Sequence, residues 1–163
     1  MRDTGWRWLW VSVIVVILDR FTKLLALKYL IPYQPHPVIP SFNLILVYNR
    51  GAAFSFLNHA SGWQNLFLGC VAVMASIFIL VWLHQISQKQ YQLNIALTLI
   101  LGGALGNLWD RFSRGHVIDF IQLYISRWSW PVFNIADSAI SMGIVLLLWQ
   151  WFKIEKGHSK HSR

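Results

Sequence analysis

The chain has 163 residues, of which 56% are hydrophobic and 12% charged. A soluble domain carries about 25% charged residues, so this chain has too few charges to cover a surface facing water, and its excess apolar area calls for lipid. Its formal charge of +8, from 14 basic and 6 acidic residues, would suit nucleic acid or an anionic membrane surface; the basic groups flank apolar runs without a nucleic-acid-binding motif, which points to the membrane and to no nucleic-acid partner.

The N-terminus opens with Arg2 and Arg7 ahead of an apolar stretch. No small-residue cleavage site follows, and Asp19-Arg20 interrupts the run, so the stretch reads as a retained span rather than a cleaved leader. A membrane helix needs roughly 20 mostly apolar residues. Four segments qualify, at 8–30, 63–84, 93–112 and 133–152. The predicted fold class is therefore an all-α membrane protein, a four-transmembrane-helix bundle forming one domain over 1–163. Lys and Arg in the flanks set the orientation. Arg2 and Arg7, Lys89 in the loop at 85–92, and the tail at 153–163 with Lys153, Lys156, Lys160 and Arg163 all fall on one side, assigned as cytoplasmic. Tryptophans such as Trp6, Trp8, Trp63, Trp128, Trp130 and Trp149 fall near the predicted interfaces, where amphipathic rings are favoured.

Between the first two spans, Pro32, Pro35, Pro37 and Pro40 stop the helix and keep the chain extended. The β-formers of Ser41-Phe42-Asn43-Leu44-Ile45-Leu46-Val47-Tyr48 follow, then a turn at Asn49-Arg50-Gly51 and a second extended stretch at 52–57. This predicts a small hairpin or curved sheet over 41–57 on the outer surface. A shorter extended piece is expected at 117–124, and Arg127-Trp128-Ser129-Trp130 suits an interfacial segment. The single cysteine, Cys70, excludes an intramolecular disulfide and a Cys-rich zinc site; it reads as a buried small hydrophobe in the second span.

Ionisable groups inside a span are costly and are functional candidates by default. Asp19 and Lys23 are spaced i, i+4 and share a helix face, as a self-neutralising pair would, while Arg20 and Lys28 are expected to reach out to the headgroups. In Gly102-Gly103-Ala104-Leu105-Gly106-Asn107-Leu108-Trp109-Asp110-Arg111, the Gly102–Gly106 step permits close helix approach. Asn107 can hydrogen-bond across helices, and Arg111 can clamp a carboxylate or phosphate; Asp110 and Arg111 also fit an ion pair at the helix end. Asp119 and Asp137 both fall at the outer interface, eighteen residues apart and flanked by apolar neighbours. If the chain folds back between them, the two carboxylates share one proton, the arrangement of an aspartic protease. The residues alone leave open that Asp137 serves only the helix dipole and Asp119 is an exposed loop acid.

Five blocks in order carry a resemblance: Asp19-Arg20-Phe21-Thr22-Lys23, Asn49-Arg50-Gly51-Ala52-Ala53-Phe54, the Gly102–Arg111 run, Val117-Ile118-Asp119-Phe120 and Phe133-Asn134-Ile135-Ala136-Asp137-Ser138. Together they resemble the bacterial lipoprotein signal peptidases (signal peptidase II, aspartic peptidase family A8) over nearly the whole chain. The resemblance implies a bacterial inner-membrane enzyme with both termini cytoplasmic and its site near the periplasmic face. It implies removal of the signal peptide from diacylglyceryl-modified prolipoproteins, just before the lipidated cysteine. The catalytic pair would be Asp119 and Asp137, with Asn49, Asn107, Arg111 and Asn134 at the substrate site and Asp19 and Lys23 in support. A surface sheet, or cradle, is expected at 42–57, with membrane lipids as surroundings, sensitivity to globomycin, no metal or cofactor, and a monomeric enzyme. A small ion or proton-coupled transporter or channel subunit is the competing reading, since intramembrane charges also mark ion paths; the lack of repeated halves weighs against it. A structural membrane subunit, the third reading, would tolerate loss of either aspartate.

Overall fold

The computed structural model describes residues 3–51 and 63–159, and side chains as far as Lys153. The second arm of the expected hairpin, at 52–57, and the basic side chains beyond Lys153 lie outside the described residues. Among the described residues there are four α-helices: α1 (Leu9–Tyr29), α2 (Trp63–Gln85), α3 (Tyr91–Arg114) and α4 (Ile135–Ser159). Four short strands join them: β1 (His36–Ile39), β2 (Phe42–Asn49), β3 (Val117–Ile125) and β4 (Trp128–Ser129). They form one antiparallel sheet in the order β1-β2-β3-β4. The molecule is thus mostly helical with a small sheet, and all four predicted helical segments are present to within a few residues of their expected ends, save the longer C-terminal run of α4.

Among the described residues three helices are long and apolar enough to cross a membrane, over Trp63–Gln85, Tyr91–Arg114 and Ile135–Lys153. The 21-residue α1 differs because its apolar run is broken by Asp19, Arg20 and Lys23. The helices are turned inside out relative to a water-soluble bundle. On α1 the buried stripe is Ser12, Val15, Asp19, Lys23 and Ala26, at steps of three and four, while Val13, Ile17, Phe21 and Leu24 are exposed. Lipid accepts the apolar face, so the polar one must find partners inside.

Helix α3 is central, packing against the other three. A Cβ on Gly102 would lie 2.7 Å from that of Val15, and one on Gly106 would lie 2.7 Å from Asp19 Oδ2 and 3.3 Å from the Ala136 Cβ. The small-residue step therefore lets α1 close on α3, and Gly106 also admits the start of α4. Ser12 Oγ adds an interhelical hydrogen bond to Thr98 O at 2.7 Å.

The sheet sits across the end of the helices that carries Tyr29, Arg114 and Ile135. Its underside buries Leu46, Ile118 and Phe120 against Ala26, with Leu27 and Leu30 around them. Gly115, at φ 74°, ends α3 in the left-handed conformation, and the chain turns straight into β3. In β3, residues alternate between this apolar underside and the opposite face, which carries Val117 and Asp119. Strand β2 pairs with β1 and β3 rather than with a hairpin arm among the described residues. The Arg127–Trp130 stretch, expected to be interfacial, is the β3–β4 turn and β4 itself, where Trp128 and Trp130 stack edge to face.

Two further expectations change. Cys70 is exposed on α2 rather than buried; that helix is apolar on both sides, and its packed face is Gln64, Gly69, Ser76, Ile79 and Leu83. Arg20 does not reach for headgroups; it turns inward to Asp110. Its guanidinium also lies 5.6 Å from the exposed Trp109 ring.

Candidate active site

Strand register and one bridge assemble the site. Asn49 lies opposite Val117, and Val47 opposite Asp119, so Asn49 and Asp119 are diagonal neighbours on one face of the sheet. Past β4 the chain returns, and Phe133 exchanges backbone hydrogen bonds with Ile121, at 3.0 Å and 2.8 Å. That bridge fixes the residue before Asn134 to β3 and sets the start of α4 beside Asp119. The eighteen-residue separation in sequence is closed in this way, and Asp119 and Asp137 line one cavity of about 580 Å3.

Three asparagines hold the two carboxylates, and each is oriented by a donor on its carbonyl oxygen. Gly51 N donates to Asn49 Oδ1 at 3.0 Å, which turns Asn49 Nδ2 toward Asp119 Oδ2 at 2.9 Å. Asp137 N donates to Asn134 Oδ1 at 2.9 Å, which turns Asn134 Nδ2 toward Asp119 Oδ1 at 2.7 Å. Lys23 Nζ donates to Asn107 Oδ1 at 3.1 Å, and Asn107 Nδ2 donates to Asp137 Oδ1 at 2.7 Å. Asn134 N returns to Asp137 Oδ2 at 3.2 Å. Asn134 and Asp137 thus form a reciprocal capping box at the first turn of α4.

Asp119 is 1% exposed. Burial, and then the charge of Asp137, push its pKa up to about 7 against the opposing donors Asn49 and Asn134. A carboxylic acid that keeps its proton near neutrality beside a second carboxylate suits acid–base work. His116 packs on Tyr48 with ring centroids 4.8 Å apart. Burial, followed by Arg50, lowers its pKa and keeps it neutral at pH 7.

Behind the pair is a buried ionic cluster. Lys23 Nζ lies 2.8 Å from Asp19 Oδ2 and 2.7 Å from Asp110 Oδ2, and Arg20 Nη1 lies 2.7 Å from Asp110 Oδ1. Asp19 Oδ1 accepts the Ala136 N–H at 3.0 Å, so the cluster also ties α1 to the start of α4. The expected Asp19–Lys23 pair is present. Asp110 and Arg111 do not form the ion pair their adjacency suggested, because successive helix positions face different ways. Asp110 faces α1, and Arg111 lines the cavity, donating to Gly51 O at 3.1 Å and Asn65 Oδ1 at 3.4 Å. Sequence reasoning missed Arg20 and Asn65. The first lay within a recognised block but was assigned to the surface; no signal marked the second.

All eight expected site residues fall in this one network. Asn49, Asn107, Arg111, Asp119 and Asp137 line the cavity, Asn134 bridges the two aspartates, and Asp19 and Lys23 lie one layer behind. The remaining wall is apolar, with Leu123, Phe133, Ile140 and Met142, and Ser138 and Ser141 add hydroxyls. An apolar slot with two acids at its polar end can hold an extended lipophilic chain and activate water on it.

Comparison with known proteins agrees in extent. The family described as Signal peptidase (SPase) II matches residues 11–153. The chain is 48% identical over 152 residues to the lipoprotein signal peptidase of Alteromonas mediterranea, covering 93% of this chain and 84% of that one. It is 47% identical over 150 residues to that of Yersinia pseudotuberculosis, covering 92% and 89%. A solved structure described as a bacterial membrane enzyme superposes with a TM-score of 0.82 at 30% identity, covering 94% of this chain and 93% of that one. A second such structure gives 0.81 at 27% identity, covering 94% and 99%.

Proposed function

The chain belongs to the signal peptidase (SPase) II family, an aspartic peptidase that removes the signal peptide from prolipoproteins, and from that premise we propose how its two central aspartates do so. The observation that carries the reading is the shared cavity in which Asp119 and Asp137 are bridged by Asn134. In the resting pair one carboxyl is ionised and the other protonated. The ionised member takes a proton from a water held between them, and the resulting hydroxide attacks the scissile carbonyl carbon. The protonated member hydrogen-bonds the carbonyl oxygen and stabilises the tetrahedral intermediate. On collapse the first carboxyl passes its proton to the leaving amine, and the second recovers the proton it shared.

The substrate is a diacylglyceryl-modified prolipoprotein, cut just before the lipidated cysteine. Its apolar signal peptide suits the Ile140 and Met142 side of the cavity, and Arg111 suits a carbonyl or phosphate oxygen at the polar end. We read α1 as a fourth span. Asp19, Arg20 and Lys23 are neutralised with Asp110 within the bundle, Lys28 lies in the last turn, and the outer face is apolar, which is compatible with hydrocarbon. The Lys and Arg flanks then put both termini in the cytoplasm and the sheet and aspartates at the periplasmic face of the inner membrane. Exposed Tyr29, Ile31, Tyr33 and Ile39 along the sheet edge suit headgroup depth. The enzyme is read as a monomer among membrane lipids, blocked by globomycin at the aspartate cavity.

The deciding experiment is turnover of a diacylglyceryl-modified prolipoprotein by purified protein in detergent. Asp119→Asn and Asp137→Asn should each abolish cleavage while the protein stays folded by thermal unfolding. Full activity in either folded variant would show that the wrong acid has been named.

A further inference from the structure

Lys23 is fully buried, and its ammonium has three N–H donors. Two of its contacts are the ion pairs with Asp19 Oδ2 and Asp110 Oδ2. With Arg20 on the other oxygen of Asp110, two cations and two anions already balance. The third contact is not needed for neutrality. It leaves the cluster and meets Asn107 Oδ1 at 3.1 Å. Asn134 Nδ2 donates to the same oxygen at 3.1 Å. If the Asn107 amide turned over, its NH2 would face an ammonium and another NH2. Its Nδ2 is therefore held on Asp137 Oδ1, at 2.7 Å, and an N–H donor favours the ionised form of a carboxyl.

Asp119 also accepts from two amides, so the number of hydrogen bonds does not separate the pair. Two features do. Asp137 stands in the first turn of α4, where the helix dipole favours negative charge, and only Asp137 has an ammonium behind its amide donor. Asp119 lies on a strand beside the start of α4 but is not a residue of its first turn, and it accepts the Asn134 side-chain amide rather than a helix backbone N–H. The charged groups around Asp137 are Lys23 from α1, Arg111 from α3 and Asp119 from β3; Asn65 of α2 is neutral.

We propose that Lys23 is a positioning residue for the reaction: by holding the Asn107 carbonyl oxygen it keeps that amide's N–H on Asp137, and so makes Asp137 the ionised, water-activating member of the pair and Asp119 the proton donor. This rests on the reading of Asp119 and Asp137 as the catalytic acids. Lys23 touches no reacting atom; it acts through Asn107.

The test is the pH profile of kcat for the full-length enzyme on a diacylglyceryl-modified prolipoprotein in detergent. Lys23→Met is combined with Asp19→Asn, so that one cation and one anion leave together, and is read against the parent enzyme. The acid limb of the profile should move up by about one pH unit, the size of one lost hydrogen bond to a charged group, with KM held. A merely structural Lys23 would reduce the folded fraction and leave the limb in place, and a coincident limb overturns the proposal. Should the double variant fail to fold, Asn107→Leu removes the same relay while all three ion pairs remain, and an unmoved acid limb there overturns it equally. Full activity of Asp119→Asn would overturn the pair and this inference with it. An inactive Asp119→Asn with an unmoved limb overturns only the role of Lys23.

Discussion

Asn134 donates its side-chain amide to Asp119 Oδ1 at 2.7 Å, fifteen residues back along the chain. Its backbone N–H reaches Asp137 Oδ2 at 3.2 Å, and its Oδ1 caps the Asp137 N–H. One residue thus spaces the two acids and starts the helix that carries one of them. These roles can be separated. Asn134→Ser should keep the cap and lose the amide, whereas Asn134→Ala should lose both. We expect both variants to fall by about 10²-fold in kcat, the scale of a lost donor at a charged centre. Only Asn134→Ala should also lose roughly 1 kcal/mol of stability, the usual worth of a cap. Turnover and thermal unfolding, measured on the same preparations, separate the two losses.

The pKa of about 7 at Asp119 sets a pH dependence with a definite sign. On the proposed mechanism activity needs one proton on the pair, so kcat should decline as pH rises through about 7, giving a bell with Asp119 on its basic limb. Stability follows from linkage. The folded state holds the Asp119 proton up to a higher pH than the unfolded chain, whose carboxyl titrates near 3.8. Between these values the folded state binds more protons, so stability falls as pH rises across that window. Asp119→Asn has no proton to lose. It should therefore unfold at a higher temperature than the parent at pH 8, with the difference shrinking toward pH 5. An equal difference at both pH values would mean that Asp119 is ionised throughout.

Much of this site is legible from residue types and order, because each expensive residue has one economical explanation. Asp19 and Lys23 sit a turn apart in an apolar helix, and an unpaired charge there is untenable, so their pairing is foreseeable. The helices follow from apolar length alone. What the sequence leaves open is direction around a helix where lipid and protein interior are both acceptable. Arg20 could extend outward or turn to Asp110, and only the position of α3 decides. Cys70 is apolar enough for either side of α2, and it faces outward. Strand partners are equally open, since β2 has β-forming residues on both faces and its pairing with β3 depends on the Gly115 turn that returns the chain. The closeness of Asp119 to the start of α4 rests on the Ile121–Phe133 bridge, which no local pattern announces.

Gly106 predicts a packing cost that reaches the site. An added methyl would meet Asp19 Oδ2 at 2.7 Å and the Ala136 Cβ at 3.3 Å, and neither can withdraw freely, since Asp19 is held by Lys23 and by the Ala136 N–H. Gly106→Ala should destabilise by about 1–3 kcal/mol, the range for overpacking a filled interior. It should also lower kcat, because α4 carries Asp137 and moves as a body. Thermal unfolding and turnover in detergent check both. A fully active, equally stable Gly106→Ala would mean that α1 and α4 have more room than the contact distances allow.

Arg111 offers the clearest separation of substrate handling from chemistry. It lines the aspartate cavity yet has no carboxylate ion-pair partner among the described residues. Its planar fork instead reaches Gly51 O and, more weakly, Asn65 Oδ1, which brings the turn after β2 and the first turn of α2 to the cavity rim. Arg111→Lys keeps the charge but cannot hold two directions at once. The carboxylate contacts all come from the asparagines, so the pair itself should remain set. We therefore expect KM to rise by about 10-fold, with kcat changing by less than about 3-fold, the pattern of an interaction made equally in the ground and transition states. Arg111→Ala should raise KM further, since it removes the charge as well as the fork. Steady-state kinetics on a diacylglyceryl-modified prolipoprotein distinguish the cases. A fall in kcat at unchanged KM in Arg111→Lys would instead place the guanidinium on the reacting carbonyl, as a stabiliser of the transition state.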